Sequence, residues 1–105
     1  MYGLFGKMLA QPGQRDALIG HLLHAATLLR EVDGCYLYVI SSALDDPNGI
    51  WVNEVWRSQA DHQASLTHDA IKSLITVARP LIAGFAERFE VTPLGGKGPS
   101  EIETP

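Results

Sequence analysis

A carboxylate and an indole stand two residues apart at Glu54 and Trp56, on an apolar stretch that runs into an imidazole at His62. These groups can remove a proton, donate a hydrogen bond and wall an aromatic ring. His62 falls in the first turn or so of a predicted helix, where a neighbouring acid and the helix end tune its protonation, so it is the first choice for a general base. The alternative for His62 is an ordinary surface histidine; His68, at the junction of two helical segments and expected at a cavity mouth, is the second choice for the same role. Trp56 either packs on an aromatic substrate and donates its N–H to a substrate oxygen, or fills the core. Glu54 anchors the adjoining helix, acts as a base, or forms a structural ion pair with Arg57 or Arg79, the reading the residues favour. Asn53 can orient a substrate oxygen, although strand alternation turns it away from Trp56. Tyr36 and Tyr38, two apart on one strand, can supply a phenolic hydroxyl and an apolar wall, or belong to a dimer core.

Other chemistry is not signalled. His21 and His24 are spaced to share a metal on one helix, but no third ligand is near, so they read as exposed residues and no metal is assigned. There is neither a dinucleotide fingerprint nor a phosphate-binding loop, so no cofactor is implied. Cys35, the single cysteine, reads as a small buried hydrophobe. A net charge of -4 with scattered Lys and Arg argues against nucleic acid and anionic membranes as partners. Met1-Tyr2-Gly3-Leu4-Phe5 opens no signal peptide and no spanning segment follows, which points to the cytoplasm.

The elements that must position these groups follow from periodicity. Tyr2 to Ala10 alternates as a strand and stops at Pro12-Gly13. Leu18, Leu22, Ala25, Leu29 and Val32 recur at helical spacing over 14–32, with Asp33-Gly34 as an expected left-handed stop. Cys35 to Ala43 and the Trp51 strand flank a Pro and Asn-Gly loop, making a hairpin. On the second of these strands Trp51, Asn53, Val55 and Arg57 share one face, and Val52, Glu54 and Trp56 the other. Ser58-Gln59-Ala60-Asp61 is a capping box that opens a short helix, a second helical segment runs from Asp69 to about Pro80, and a last strand is expected from Phe85 to Leu94. The order predicts an α+β ferredoxin-like split βαβ fold over 1–94, an antiparallel four-stranded sheet with its helices on one face, strand three between strands one and two, and a polar, mobile tail over 95–105. Apolar side chains are too many for one side of the sheet, so the uncovered face is expected to pack on a second copy as a homodimer.

Glu54-Val55-Trp56-Arg57-Ser58-Gln59-Ala60-Asp61-His62, with Ala78-Arg79-Pro80-Leu81-Ile82, resembles the antibiotic biosynthesis monooxygenase family. The resemblance implies a dimeric α+β barrel and cofactor-independent oxidation of a small electron-rich aromatic, a quinol or anthrone, by O2. Two other readings stay open: a non-catalytic dimer that binds a small aromatic or serves in stress, and haem binding or degradation. Relatives that degrade haem carry an Asn on strand one, where this chain has Lys7 and Met8.

Overall fold

The computed structural model describes residues 1–103. Strand β1 (Tyr2–Ala10) is followed by α1 (Arg15–Leu29), β2 (Cys35–Ser42), β3 (Gly49–Trp56), α2 (Gln59–Ser65), α3 (Asp69–Ala78), a 3-10 turn at Arg79–Leu81, β4 (Ile82–Val91) and one turn of helix, α4 (Ser100–Glu103). The sheet is antiparallel in the order β2-β3-β1-β4, so strand three does lie between strands one and two, as two right-handed crossovers require. This is the α+β ferredoxin-like arrangement expected from the element order. The end of the expected polar tail, residues 104 and 105, lies outside the described residues, and α4 occupies part of what precedes it.

Helices α1 and α3 cover one face of the sheet. Leu18 and Ile50 are completely buried there with Val52, Ala10 and Ala78, while Trp56 closes a second cluster with Leu29 and Ile71. Rows of side chains run across this face in register: Tyr38, Glu54, Leu4 and Glu90; Ile40, Val52, Gly6 and Arg88; Ile50, Met8 and Phe85. The opposite face carries Leu37, Val55, Gly3 and Val91 in one row and Val39, Asn53, Phe5 and Phe89 in the next. Among the described residues no helix or strand lies over it, and Phe5, Val39, Phe89 and Val91 are all exposed.

Local chemistry accounts for most boundaries. The Ser58 hydroxyl accepts the Asp61 N–H at 3.1 Å and donates to the Asp61 carboxylate at 2.8 Å, so the predicted capping pair does open α2. Pro80 ends α3 by forming the 3-10 turn.

Several expectations need correction. Helix α1 stops at Leu29 and Gly34 has no left-handed backbone; positive φ occurs instead at Gly13, in the turn after β1, and at Gly95 and Gly96 after β4. Gly34 is required for closeness instead, because a Cβ there would sit 2.8 Å from the Asp61 Cβ and 2.7 Å from its Cγ. Gly34→Ala is therefore expected to cost about 1–3 kcal/mol by pushing on the capping Asp61, read as a lower denaturation midpoint at unchanged m-value.

The last strand begins at Ile82, three residues before the expected start. The 3-10 turn delivers Leu81 directly to the Gln11 N–H at 2.8 Å, which docks the chain beside β1 at once. A bulge at Ala86 then puts Phe85 opposite Met8 while Glu87 stays opposite Lys7, so Phe85 leaves the face it would share with Phe89 and Val91. A second bulge, between Cys35 and Leu37, lifts Tyr36 out of alternation with Tyr38.

Candidate functional site

The sheet's covered face and the helices enclose a chamber of about 140 Å³. Apolar side chains of α1 and α3, among them Leu22, Leu29, Ile71, Leu74 and Ile75, form its walls, and its polar groups are Tyr38, Glu54, Trp56, His62, Ser65 and His21. Glu54 and Trp56 point into it because they alternate with outward-facing Asn53 and Val55 on β3, and His62 arrives there because the Ser58 cap fixes where α2 begins.

Inside the chamber the Trp56 indole N–H donates to Glu54 Oε1 at 3.0 Å. The indole is therefore committed to Glu54 rather than left free for a substrate oxygen. His62 Nε2 lies 3.8 Å from the same oxygen, beyond direct hydrogen bonding. Its ring meets the edge of Trp56 at a centroid distance of 5.4 Å and lies 5.8 Å from Tyr2 on the other side. Desolvation by burial and the positive charge of Arg88 hold the His62 pKa below its ordinary 6.5, against a smaller opposing pull from Glu90. The imidazole is neutral near pH 7, and the His62 and Glu54 pair is then not an ion pair. Burial raises the Glu54 pKa, with the indole hydrogen bond and Arg88 acting the other way. The Tyr38 phenol is pushed up by burial and by Glu54, so it stays a hydrogen-bond donor. Glu90 in turn accepts the Tyr2 hydroxyl at 2.8 Å and the Arg88 guanidinium at 3.1 Å, which fixes the charges flanking His62.

Among the residues expected to work together, His62, Trp56, Glu54 and Tyr38 meet in this chamber. Three others are placed elsewhere. Asn53 sits on the open face of the sheet between Val39 and Phe5. Tyr36, displaced by the β2 bulge, lines a shallow recess with Ala26, Arg30 and Leu37. His68 is exposed at the start of α3, away from the chamber. The favoured ion pair of Glu54 with Arg57 or Arg79 does not form, since Arg57 leaves the sheet on the other face and pairs with Asp61 at 2.9 Å.

His21 was read as a surface residue, yet it is half-buried and lines the chamber, whereas His24 is exposed. The sequence does carry the signal: His21 lies three residues after Leu18 and four before Ala25, on the apolar stripe. Among the described residues no group of three His, Cys, Asp or Glu side chains is placed to hold a metal ion.

Residues 1–77 match the family model described as antibiotic biosynthesis monooxygenase. A candidate antibiotic biosynthesis monooxygenase of Chloroflexus aurantiacus J-10-fl is 45% identical, with a TM-score of 0.87, over 94% of this chain and 98% of its own. A second, from Deinococcus radiodurans, shares 21% identity and a TM-score of 0.77 over 93% of this chain and 97% of its own. A third, from Caulobacter crescentus CB15, shares 18% identity and a TM-score of 0.79 over 86% of each chain. The last two are likenesses of fold alone. No curated protein matches the chain significantly.

Proposed function

The chain belongs to the antibiotic biosynthesis monooxygenase family, and from that premise we propose that it oxidises a single-ring quinol with molecular oxygen, without a cofactor, in the chamber under α1 and α3. One observation carries the reading: a neutral His62 faces the buried Glu54 across 3.8 Å inside an apolar enclosure. The enclosure is also the right size. Its volume of about 140 Å³ is close to that of apolar cavities of roughly 150 Å³ that admit one benzene ring.

The ring lies among Leu29, Leu74 and Ile75 with a hydroxyl toward His62. His62 removes the phenolic proton, and the electron-rich anion passes electrons to O2, so the substrate itself is the reductant. A ring carbon and oxygen then form a C–O bond, giving a ring peroxide anion that takes the proton held on His62 and becomes the hydroperoxide. His62, neutral again, removes the proton from the same carbon as the carbonyl forms and the O–O bond breaks, and passes it to the departing hydroxide. One oxygen atom is retained in a hydroxyquinone and the other leaves as water. Tyr38 donates to the substrate oxygen, and the apolar walls keep water from the peroxide.

An oxygen electrode tests this with a panel of single-ring quinols and no added flavin or metal. Consumption of one O2 per quinol is expected; a flat trace across the panel overturns the enzyme reading.

The pH profile gives an independent check. Neutral His62 is the active form, so kcat/KM rises with pH along a limb whose midpoint lies below 6.5. Arg88 lowers that midpoint by repelling the protonated imidazole, so Arg88→Gln is expected to move the limb to higher pH. An unmoved limb would mean that another group titrates.

The working unit we propose is a homodimer joined through the open face of the sheet. Among the described residues no helix is long and apolar enough to cross a membrane.

A further inference from the structure

Beside the chamber lies a second, larger space, a groove of about 370 Å³. Leu4, Met8 and Val52 form its floor, Phe85 and Arg88 its outer side, and Tyr38 and Glu54 its inner end. Tyr38 and Glu54 also line the chamber, so the two spaces meet at the polar groups proposed to hold the ring. Met8 and Phe85 share a row across the sheet only because the Ala86 bulge turns Phe85 onto this face. Phe85 is nevertheless 73% exposed, an apolar ring facing water beside a site otherwise lined by apolar carbon.

We propose that this groove is a second subsite that takes an apolar substituent on the ring held in the chamber, with Phe85 as the residue that selects for it. The inference rests on the placement of the ring proposed above. A substituent leaving the chamber past Tyr38 and Glu54 enters the groove, covers Leu4 and Met8, and removes the Phe85 ring from water. Arg88, the groove's cation, already bonds Glu90 at 3.1 Å, and the other charged groups lining it, Glu54 and Glu87, are carboxylates, which disfavours an acidic occupant and leaves a hydrocarbon as the better fit. Gly6 shapes the floor in the same row as Val52 and Arg88. A Cβ added there would meet only the Glu87 carbonyl oxygen, at 3.7 Å, an ordinary contact, so a larger side chain at this position fills the groove without straining the strand.

The test is anaerobic calorimetric titration of the full chain with hydroquinone and with hexylhydroquinone. In the wild type, affinity is expected to rise by about 4-fold for each methylene that enters the groove. Gly6→Leu, which fills the space, and Phe85→Ala, which removes its outer wall, are each expected to shrink the ratio of the two dissociation constants. Equal affinity of the wild type for both ligands overturns the proposal, as does binding of neither. So does a ratio that both variants leave unchanged, or a change of oligomeric mass in Phe85→Ala, which would make the groove an interface between copies. Oxygen uptake is measured separately: chain-dependent binding without any uptake would sink the proposed reaction and leave the subsite standing.

Discussion

Replacing His62 with alanine is expected to lower the turnover of oxygen uptake by about 10²–10⁴-fold, the usual contribution of a positioned general base, while KM for the quinol changes little. The split follows from the geometry. The ring's binding surface comes from Leu22, Leu29, Leu74 and Ile75 of α1 and α3, and none of these depends on the imidazole. Among the described residues no other nitrogen base is as well placed for proton removal, because His21 approaches the chamber from α1, while Nε2 of His62 faces Glu54 at 3.8 Å. The alternative is that His62 only packs between Tyr2 and Trp56. That alternative makes a different prediction, since a packing role is not restored from solution. Added free imidazole should return part of the lost rate if His62 is the base, with a pH dependence that follows the added buffer. Wild-type turnover in His62→Ala, or a loss confined to KM, removes His62 from the chemistry. A lowered thermal midpoint large enough to account for the lost rate would do the same.

How far the site could be read from sequence depends on what kind of information fixed each residue's place. Glu54, Trp56 and His62 were legible because one uninterrupted strand and one capped helix set their directions, and both signals are local: period-two alternation over Val52 to Trp56 and the Ser58 and Asp61 pair. Tyr36 was misplaced, and the face of Phe85 was hidden, because each follows from a bulge, at Tyr36 in β2 and at Ala86 in β4, and a bulge inverts every face assignment beyond it without changing composition. The Glu54 partner was missed for a related reason. Arg57 is three residues away, but odd spacing on a strand puts it on the opposite face, where Asp61 takes it. The role of Gly34 was out of reach in another way, since its constraint is the approach of Asp61 from the next turn of fold, a contact that neither segment announces. The order of the strands was accessible throughout, because the handedness of the two crossovers leaves few topologies for this order of elements.

Phe5→Glu is expected to convert the proposed dimer to a monomer at micromolar concentration, halving the mass from size-exclusion chromatography with light scattering. Phe5 stands near the middle of the open face, between Asn53 and Phe89 in its own row, with Gly3, Val55 and Val91 in the next. A contiguous apolar face, 37% exposed at Phe5 and 50% at Phe89, marks an interaction surface, and helices α1 and α3 are on the other side of the sheet. A twofold interface presents the same patch from each copy, so one carboxylate introduced there becomes two, each desolvated and close to its like. The cost is several kcal/mol against an association that depends mainly on apolar burial. The same geometry reassigns Asn53. An amide in the row of Val39, Phe5 and Phe89 can reach a partner copy but not the chamber, so Asn53→Ala should shift the concentration dependence of the thermal midpoint and leave KM unchanged. Identical masses for Phe5→Glu and the wild type, together with a KM effect of Asn53→Ala, would mean that the open face is covered by something other than a second copy and that the substrate is held there as well.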